Sequence, residues 1–519
     1  MTRKEDAPVG TIRIRNGSVW DPRHGRRGDV SDVCIENGRV IASLPATAPV
    51  FDATGLVVVP GGVDLHSHIA GGAVRAARLL CPEAAGSLCL PTIDEVGRRY
   101  AAMGYTTVFD AAIAPAFAAA AHDELEALPI LDSGFFLLMG NDPVTLAACR
   151  PDEDAGTDLE AAIAGLLEAA GAYAPKLVNP GGVEAWKRGA EEPSIEAAGD
   201  LLCRFARAAT ALRLPHPLHV HLPRLGLPGN AATTMTLLER FGGARAHVTH
   251  AQFHAYGGRT AAGFRSRAPE IASALNRLPH LTADVGQVVF GPVVTLSADG
   301  PAQERLHRAN HRKWLHLDVE AESACGVVPH DFRASNLVSA VQWAAGLELM
   351  LLAKDPWRIA LTTDHPNGGP FAAYPSILRM LADRAYREEI LRRAHPGLPG
   401  RSHLAGIGRE YSFEELLIVT RSAPARILGL ERKGHLGPGA DGDVALYRLA
   451  PDIETTFSQA VATFKDGRLA AREGELVDAR PGRRLVAPQV PPLPEAARQR
   501  FLERAEALRA STGAAEATC

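Results

Sequence analysis

The sequence predicts an α/β protein: a closed (β/α)8 barrel joined to a small β-sandwich domain that is built from both chain ends. Three observations lead there. The middle of the chain, residues 60–435, alternates short apolar strands, loops and Ala/Leu/Arg-rich helical stretches, which implies parallel strands covered by helices. The first sixty residues and a stretch near the end are instead short strands separated by Asn-Gly or Asp-Gly turns. The chain has 519 residues, 46% of them hydrophobic and 22% charged, enough for more than one core in a globular protein.

Taken in order, TIRIRNGSVWD, DVCIENGRVIAS and VFDATGLVVVPG form the first part of the sandwich, residues 1–59. The barrel strands follow in GYTTVFDAA, GFFLLMGN, APKLVNPGG, HPLHVHLP, RAHVTHAQFH, LTADVGQVVFG and RIALTTDHPNGG, with helices such as IEAAGDLLCRFARAATAL between them. DGDVALYRLA and ATFKDGRLAAREGELV return the chain to the sandwich over residues 436–490. Residues 491–519 read as a Pro-rich linker and a polar C-terminal helix that docks or helps assembly.

Bulk properties exclude several classes. A net charge of −4 argues against a dedicated nucleic-acid surface. No apolar run is long enough to span a membrane, and MTRKEDAPVG has no apolar h-region, so neither a membrane partner nor a signal peptide is expected. The seven cysteines, Cys34, Cys81, Cys89, Cys149, Cys203, Cys325 and Cys519, form no CxxC pair and fit reduced thiols in a cytoplasm.

The chemistry collects at the ends of predicted barrel strands. In PGGVDLHSH, His66 and His68 are two apart, so on a strand they face the same way and can share a metal. Lys176 stands inside the apolar strand APKLV, where a charged ammonium is costly. A neutral Lys176 could take up carbon dioxide, and the carbamate could bridge two metal ions. His219 and His221 again share a face, and His221 is followed directly by the loop. His250 ends an apolar strand, flanked by His247 and His254. Asp364 ends the last strand in LTTDHPN, where a carboxylate could bind metal and move a proton. Each residue alone has an ordinary structural reading, as a snorkelling lysine, a core histidine or a loop cap. An ordered series of HxH, Lys, His, His and Asp at successive strand ends points to a metal site.

That series matches the ligand order of the amidohydrolase superfamily, whose first-strand signature PGGVDLHSH resembles. TDHPN is similar to the late-strand motif of hydantoinases and dihydroorotases. KLVNPGG, LGLPGN, HVTHAQFHAYGG, TADVGQVVFG, LTTDHPNGGPFAAYPSI and KGHLGPGADGD resemble, more narrowly, the alpha-subunit family of formylmethanofuran dehydrogenases and bacterial formyltransferase/hydrolase complexes. The loop IAGGAVRAARLLCPE departs from the archaeal pattern and favours the bacterial branch.

The resemblance implies hydrolysis of the N-formyl amide of formyl-methylofuran or formylmethanofuran, to formate and the free amine cofactor. It implies two zinc ions, one held by His66, His68 and Asp364 and the other by His221 and His250, with carbamylated Lys176 between them. Asp364 is then the catalytic proton carrier, and His254, Asn179, His219 and His247 are candidates for supporting the ligands or touching the cofactor. Partners are the other members of a complex of four subunit types. Two alternatives share the barrel: a stand-alone cyclic amidohydrolase of hydantoinase or dihydroorotase type, and a structural subunit that has lost the chemistry.

Overall fold

A computed structural model describes residues 10–84, 86–149, 155–187, 189, 194–316, 326–488 and 494–516. The N-terminal residues 1–9, and Cys325 and Cys519 among the cysteines, lie outside the described residues. Cys34, Cys81, Cys89, Cys149 and Cys203 are free thiols. Among the described residues no helix is long and apolar enough to cross a membrane.

Eight parallel strands follow one another in chain order around the central sheet: β1 (Gly62–Ser67), β2 (Tyr105–Ile113), β3 (Asp132–Met139), β4 (Ala174–Val178), β5 (Leu218–His221), β6 (Ala246–Val248), β7 (Leu281–Gly286) and β8 (Ile359–Thr362). They are almost wholly buried, as strands must be when helices cover one face and the barrel interior the other. The first and last strands meet just past their C-terminal ends. There the Asp364 N–H donates to the His66 carbonyl at 2.9 Å, and the His68 N–H to the His365 carbonyl at 2.7 Å. Below this seam the Asp64 carboxylate accepts from Thr363 Oγ1 and Tyr100 Oη, each at 2.7 Å, which ties β1 to the chain after β8 with side chains as well.

The covering helices form for local reasons. In Ile195–Ala211, the Ser194 hydroxyl caps the first turn by accepting from Ala197 N–H at 3.1 Å. Ala198, Leu202, Phe205, Ala206 and Ala209 then recur at helical spacing and make the buried stripe. The C-terminal helix Glu495–Glu516 packs on Ala155–Ala170. Arg500 and Arg504 reach Asp158 at 2.7 and 2.6 Å, and Phe501 lies so close to Gly165 that a Cβ there would come within 2.5 Å of its ring.

The strands of the two chain ends join as one mixed sheet of nine strands, so the layers expected of a sandwich run continuously into one another. The long strand Ile12–Asp21 pairs with Arg26–Glu36 on one side and with Val50–Asp52 and Val57–Pro60 on the other. Register shifts after Ile14 and Val19 let one strand serve these partners. Val444–Tyr447 pairs with Val57–Pro60, so the two ends of the chain meet in one ladder.

Between β7 and β8 the chain inserts a unit that the periodicity did not signal. Gly291–Ser297, Leu315–His316 and Gly326–Phe332 form a three-stranded antiparallel sheet with the helix Gly300–Asn310 beside it. This unit stands over the C-terminal ends of the barrel strands.

A buried ionic cluster ties the foot of β3 to the nine-stranded sheet. Lys433 Nζ lies 2.6 Å from Asp132 and from Asp443, and 3.2 Å from Asp441, while Lys465 reaches Asp132 at 3.2 Å and Asp443 at 3.1 Å. Removing one partner of such a group leaves unpaired charge out of water and costs about 3–5 kcal/mol. Lys433→Met is therefore expected to lower stability by about that amount, read as the midpoint of denaturant unfolding. A midpoint equal to that of the parent chain contradicts a supporting role for the cluster.

Candidate functional site

Asn179, His250 and Asp364 each follow directly on a barrel strand, β4, β6 and β8, and each has positive φ, at 41°, 34° and 43°. Left-handed backbone at a non-glycine residue is uncommon, and in this barrel it turns the chain at the strand end. Space for Asp364 comes from Gly286 at the end of β7, where a Cβ would fall 2.2 Å from the Asp364 Cβ.

A cavity of about 670 Å³ opens at this end of the barrel. His66, His68, Lys176, His221, His250 and Asp364 all line it, and each is at most 8% exposed. Asp364 Oδ1 lies 3.3 Å from His66 Nε2 and 3.5 Å from His68 Nε2. The rings of His221 and His250 are 4.8 Å apart between centroids. The wall opposite the barrel is the inserted unit, through Thr295–Ala298 and the helix that follows.

The other four candidates lie behind this layer, not on the cavity surface. His219 is level with Lys176 on β4 and His247 on β6, one layer deeper in the barrel than His221. His247 donates from Nε2 to Asp284 at 3.0 Å and accepts at Nδ1 from Thr282 at 2.9 Å. Asn179 donates to Asp299 at 3.2 Å. The His254 ring lies 5.6 Å from that of His221 and 5.5 Å from that of His250, and its nitrogens have no hydrogen-bond partner among the described residues.

Asp284 carries much of the arrangement. Its Oδ2 accepts from His66 Nδ1 at 3.2 Å and His247 Nε2 at 3.0 Å, and its Oδ1 from the His250 N–H at 2.7 Å and Thr362 Oγ1 at 3.1 Å. Burial opposes the charge, but His66 and His247 hold this carboxyl well below the usual range. For His66, burial disfavours the cation, yet Asp284, backed by Asp364, pushes the imidazole up to about 9. Burial likewise works against Asp364, and the neighbouring His66 holds it well below its ordinary value. Lys176 goes the other way: burial pulls the amine down to about 7, against the pull of Asp284, Asp364 and Asp110.

Sequence reasoning left Asp284 without a role, although it resembles Lys176 as a charge set inside an apolar strand, LTADVG. Asp299 was also missed. It caps the inserted helix Gly300–Asn310 and pairs with His221 Nε2 at 3.2 Å, which leaves His221 Nδ1 to face the site. Asn367 donates to Asp364 Oδ1 at 3.0 Å and accepts from the Leu296 N–H at 2.7 Å, joining the carboxylate to the insert.

The donor set suits a divalent cation. His66, His68 and Asp364 offer ligand atoms within 4.8 Å of one another, and the buried His250 Nδ1 has no hydrogen-bond partner among the described residues. Imidazole and carboxylate together fit zinc and other borderline metals. Replacing Asp284 by Asn would turn an amide N–H₂ toward ring N–H donors and remove the buried anion. Asp284→Asn is expected to cost about 3–5 kcal/mol of stability, measured by denaturant unfolding; an unchanged midpoint contradicts its organising role.

A model of the Amidohydrolase family matches residues 49–471. Protein FwdA of Methanocaldococcus jannaschii is 37% identical over 504 residues, spanning 89% of this chain and 88% of its own length. The alpha subunit of the formyltransferase/hydrolase complex Fhc of Methylorubrum extorquens is 41% identical over 494 residues, spanning 90% and 89%. The crystal structure of that complex, FhcABCD, with methylofuran superposes at a TM-score of 0.86 and 40% identity, over 91% of this chain and 90% of the matched one. At 16% identity and a TM-score of 0.55, N-acyl-D-glutamate deacylase of Bordetella bronchiseptica shares the fold. By family model, full-length identity and superposition, the chain belongs to the amidohydrolase family, in the group that contains FwdA and the Fhc alpha subunit.

Proposed function

We propose that this chain hydrolyses the N-formyl amide of a formylated methylofuran-type cofactor to formate and the free amine, as the alpha subunit of a cytoplasmic formyltransferase/hydrolase complex of four subunit types. The observation that carries this reading is the convergence of His66, His68, Lys176, His221, His250 and Asp364 on one cavity. The substrate follows from the 41% identity with the Fhc alpha subunit, which extends over nearly the whole chain, and from the methylofuran held in the complex to which that subunit belongs.

In this reading His66, His68 and Asp364 hold one zinc, His221 and His250 a second, and Lys176 bridges them as a carbamate. Bound zinc would polarise the formyl oxygen and lower the pKa of water. The low basicity of Lys176 supports the bridge, since the neutral amine is the form that adds to carbon dioxide, losing a proton as the N–C bond forms. Asp364 is kept anionic by His66 and is held in place by Asn367. It takes a proton from the attacking water as the new C–O bond forms. It then gives the proton to the amine nitrogen as the C–N bond breaks. The layer behind serves to hold ligand orientation: Asp284 on His66, Asp299 on His221.

His66→Ala and His68→Ala are expected to lose bound zinc and formate release while remaining folded. Zinc content and circular dichroism on one preparation check this, and a metal-free double variant with full activity contradicts it. Asp364→Asn retains an oxygen for the metal but has no basic carboxylate. Its turnover of formyl-methylofuran is expected to fall by about 10²–10⁴, with KM changed far less. Turnover within a few-fold of the parent, with zinc retained, removes Asp364 from proton transfer. Formate as product also separates this activity from that of a hydantoinase or dihydroorotase, which opens a ring and releases none.

A further inference from the structure

Beneath the cavity lies a row of imidazoles that the proposed reaction does not use. The main-chain oxygen of Ile427 is 3.0 Å from His216 Nδ1, His216 Nε2 is 3.0 Å from His219 Nδ1, and His219 Nε2 is 3.2 Å from His66 Nδ1. The row runs from the loop before β5, across the barrel interior, to the first residue of the HxH pair. His216 and His219 are fully buried. Their rings are fixed by stacking, His216 on Phe136 at 4.8 Å and 13°, His219 on His247 at 5.0 Å and 22°. His216 stands between Pro215 and Pro217, which restrict its backbone as well.

The proton positions along this row follow from one end. A carbonyl oxygen can only accept, so His216 Nδ1 carries the hydrogen. Burial, without a carboxylate bonded to either ring among the described residues, keeps His216 and His219 neutral. A neutral imidazole has one N–H, so His216 Nε2 is bare and must receive the Nδ1–H of His219. His219 Nε2 is then bare in turn and receives the Nδ1–H of His66. His66 Nε2, the nitrogen nearest Asp364, is left as the one free to bind a metal.

We propose that the Ile427 carbonyl sets the tautomers of His216 and His219, and that these two positioning residues thereby fix His66 with Nε2 directed to the metal. The proposal rests on the reading of His66 as a metal ligand. Asp284 cannot replace the row. Its Oδ2 also accepts from His66 Nδ1 but is shared with His247, and it has no hold on the proton of His219. If His219 carried its hydrogen on Nε2, two N–H groups would face each other across 3.2 Å and displace the His66 ring.

The first test leaves metal aside. In the metal-free full-length chain with ¹⁵N-labelled histidine, long-range ¹H–¹⁵N correlation should find His216 and His219 both neutral and both protonated at Nδ1. Nε2–H on either ring overturns the proposal, whatever the chain's activity. The second test uses His216→Phe, which keeps the stack on Phe136 but removes both nitrogens, and His216→Gln, whose amide oxygen can stand in for Nε2. Zinc affinity, from chelator competition with zinc alone, should fall by about tenfold to a hundredfold in the Phe variant. Turnover should drop with KM little changed, and Gln should restore most of both. Equal losses in Phe and Gln, or no loss in Phe, overturn the proposal. If the Phe variant does not fold, the tautomer measurement on the parent chain decides alone. A parent chain that binds no zinc but has both Nδ1 protons refutes the ligand reading of His66 and leaves the row intact.

Discussion

The site depends on one buried anion. Asp284 is out of water, where an unpaired carboxylate would be far too costly, so its lone pairs must be met by donors. Four are supplied from three strands or the residues just past them: a ring nitrogen of His66, a ring nitrogen of His247, the main chain of His250 and the hydroxyl of Thr362. Satisfying that charge fixes the first histidine of the HxH pair, the backbone of the last histidine ligand candidate and the end of β8. The same charge raises the basicity of His66 and offsets part of the burial cost at Lys176. Electrostatics inside the barrel thus set the position and the protonation of groups that reach the cavity from different strands.

Two further constraints complete the geometry. Left-handed residues at three strand ends turn the chain where it enters the site, and Gly286 leaves the room that Asp364 needs. The inserted unit between β7 and β8 is not merely a cover. Asp299 from its helix start holds His221, and the Leu296 main chain meets Asn367, which in turn holds Asp364. The wall that faces the substrate is hydrogen-bonded to residues on opposite sides of the candidate metal centre.

Much of this was legible in the sequence, and for physical reasons. Strands buried on both faces must be apolar, so His66, Lys176, His250 and Asp364 stood out as polar interruptions at strand ends. His221 could be favoured over His219 because the loop follows it directly, and the structure sets His221 on the cavity and His219 a layer below. What the sequence could not supply was partnership. Asp284 sits 218 residues from His66, and nothing in TADVG says which side chains it will meet. His216, between two prolines, has the local appearance of a loop residue; its function in the row emerges only when Ile427 arrives from the far end of the barrel. The insert was hidden because its strands have the same short apolar character as barrel strands and differ only in pairing antiparallel. The sandwich was read from hairpin turns, which fix neighbours but not whether two layers remain hydrogen-bonded as one sheet.

The central claim is that this cavity holds a two-metal hydrolytic centre. Anomalous diffraction at the zinc edge, on crystals of the purified protein with its native metal content, tests it most directly. The account predicts two zinc peaks, one within bonding distance of His66, His68 and Asp364 and the other of His221 and His250, with a carboxylated Lys176 touching both. A single peak beside a bare lysine amine, or no peak in this cavity, would contradict it.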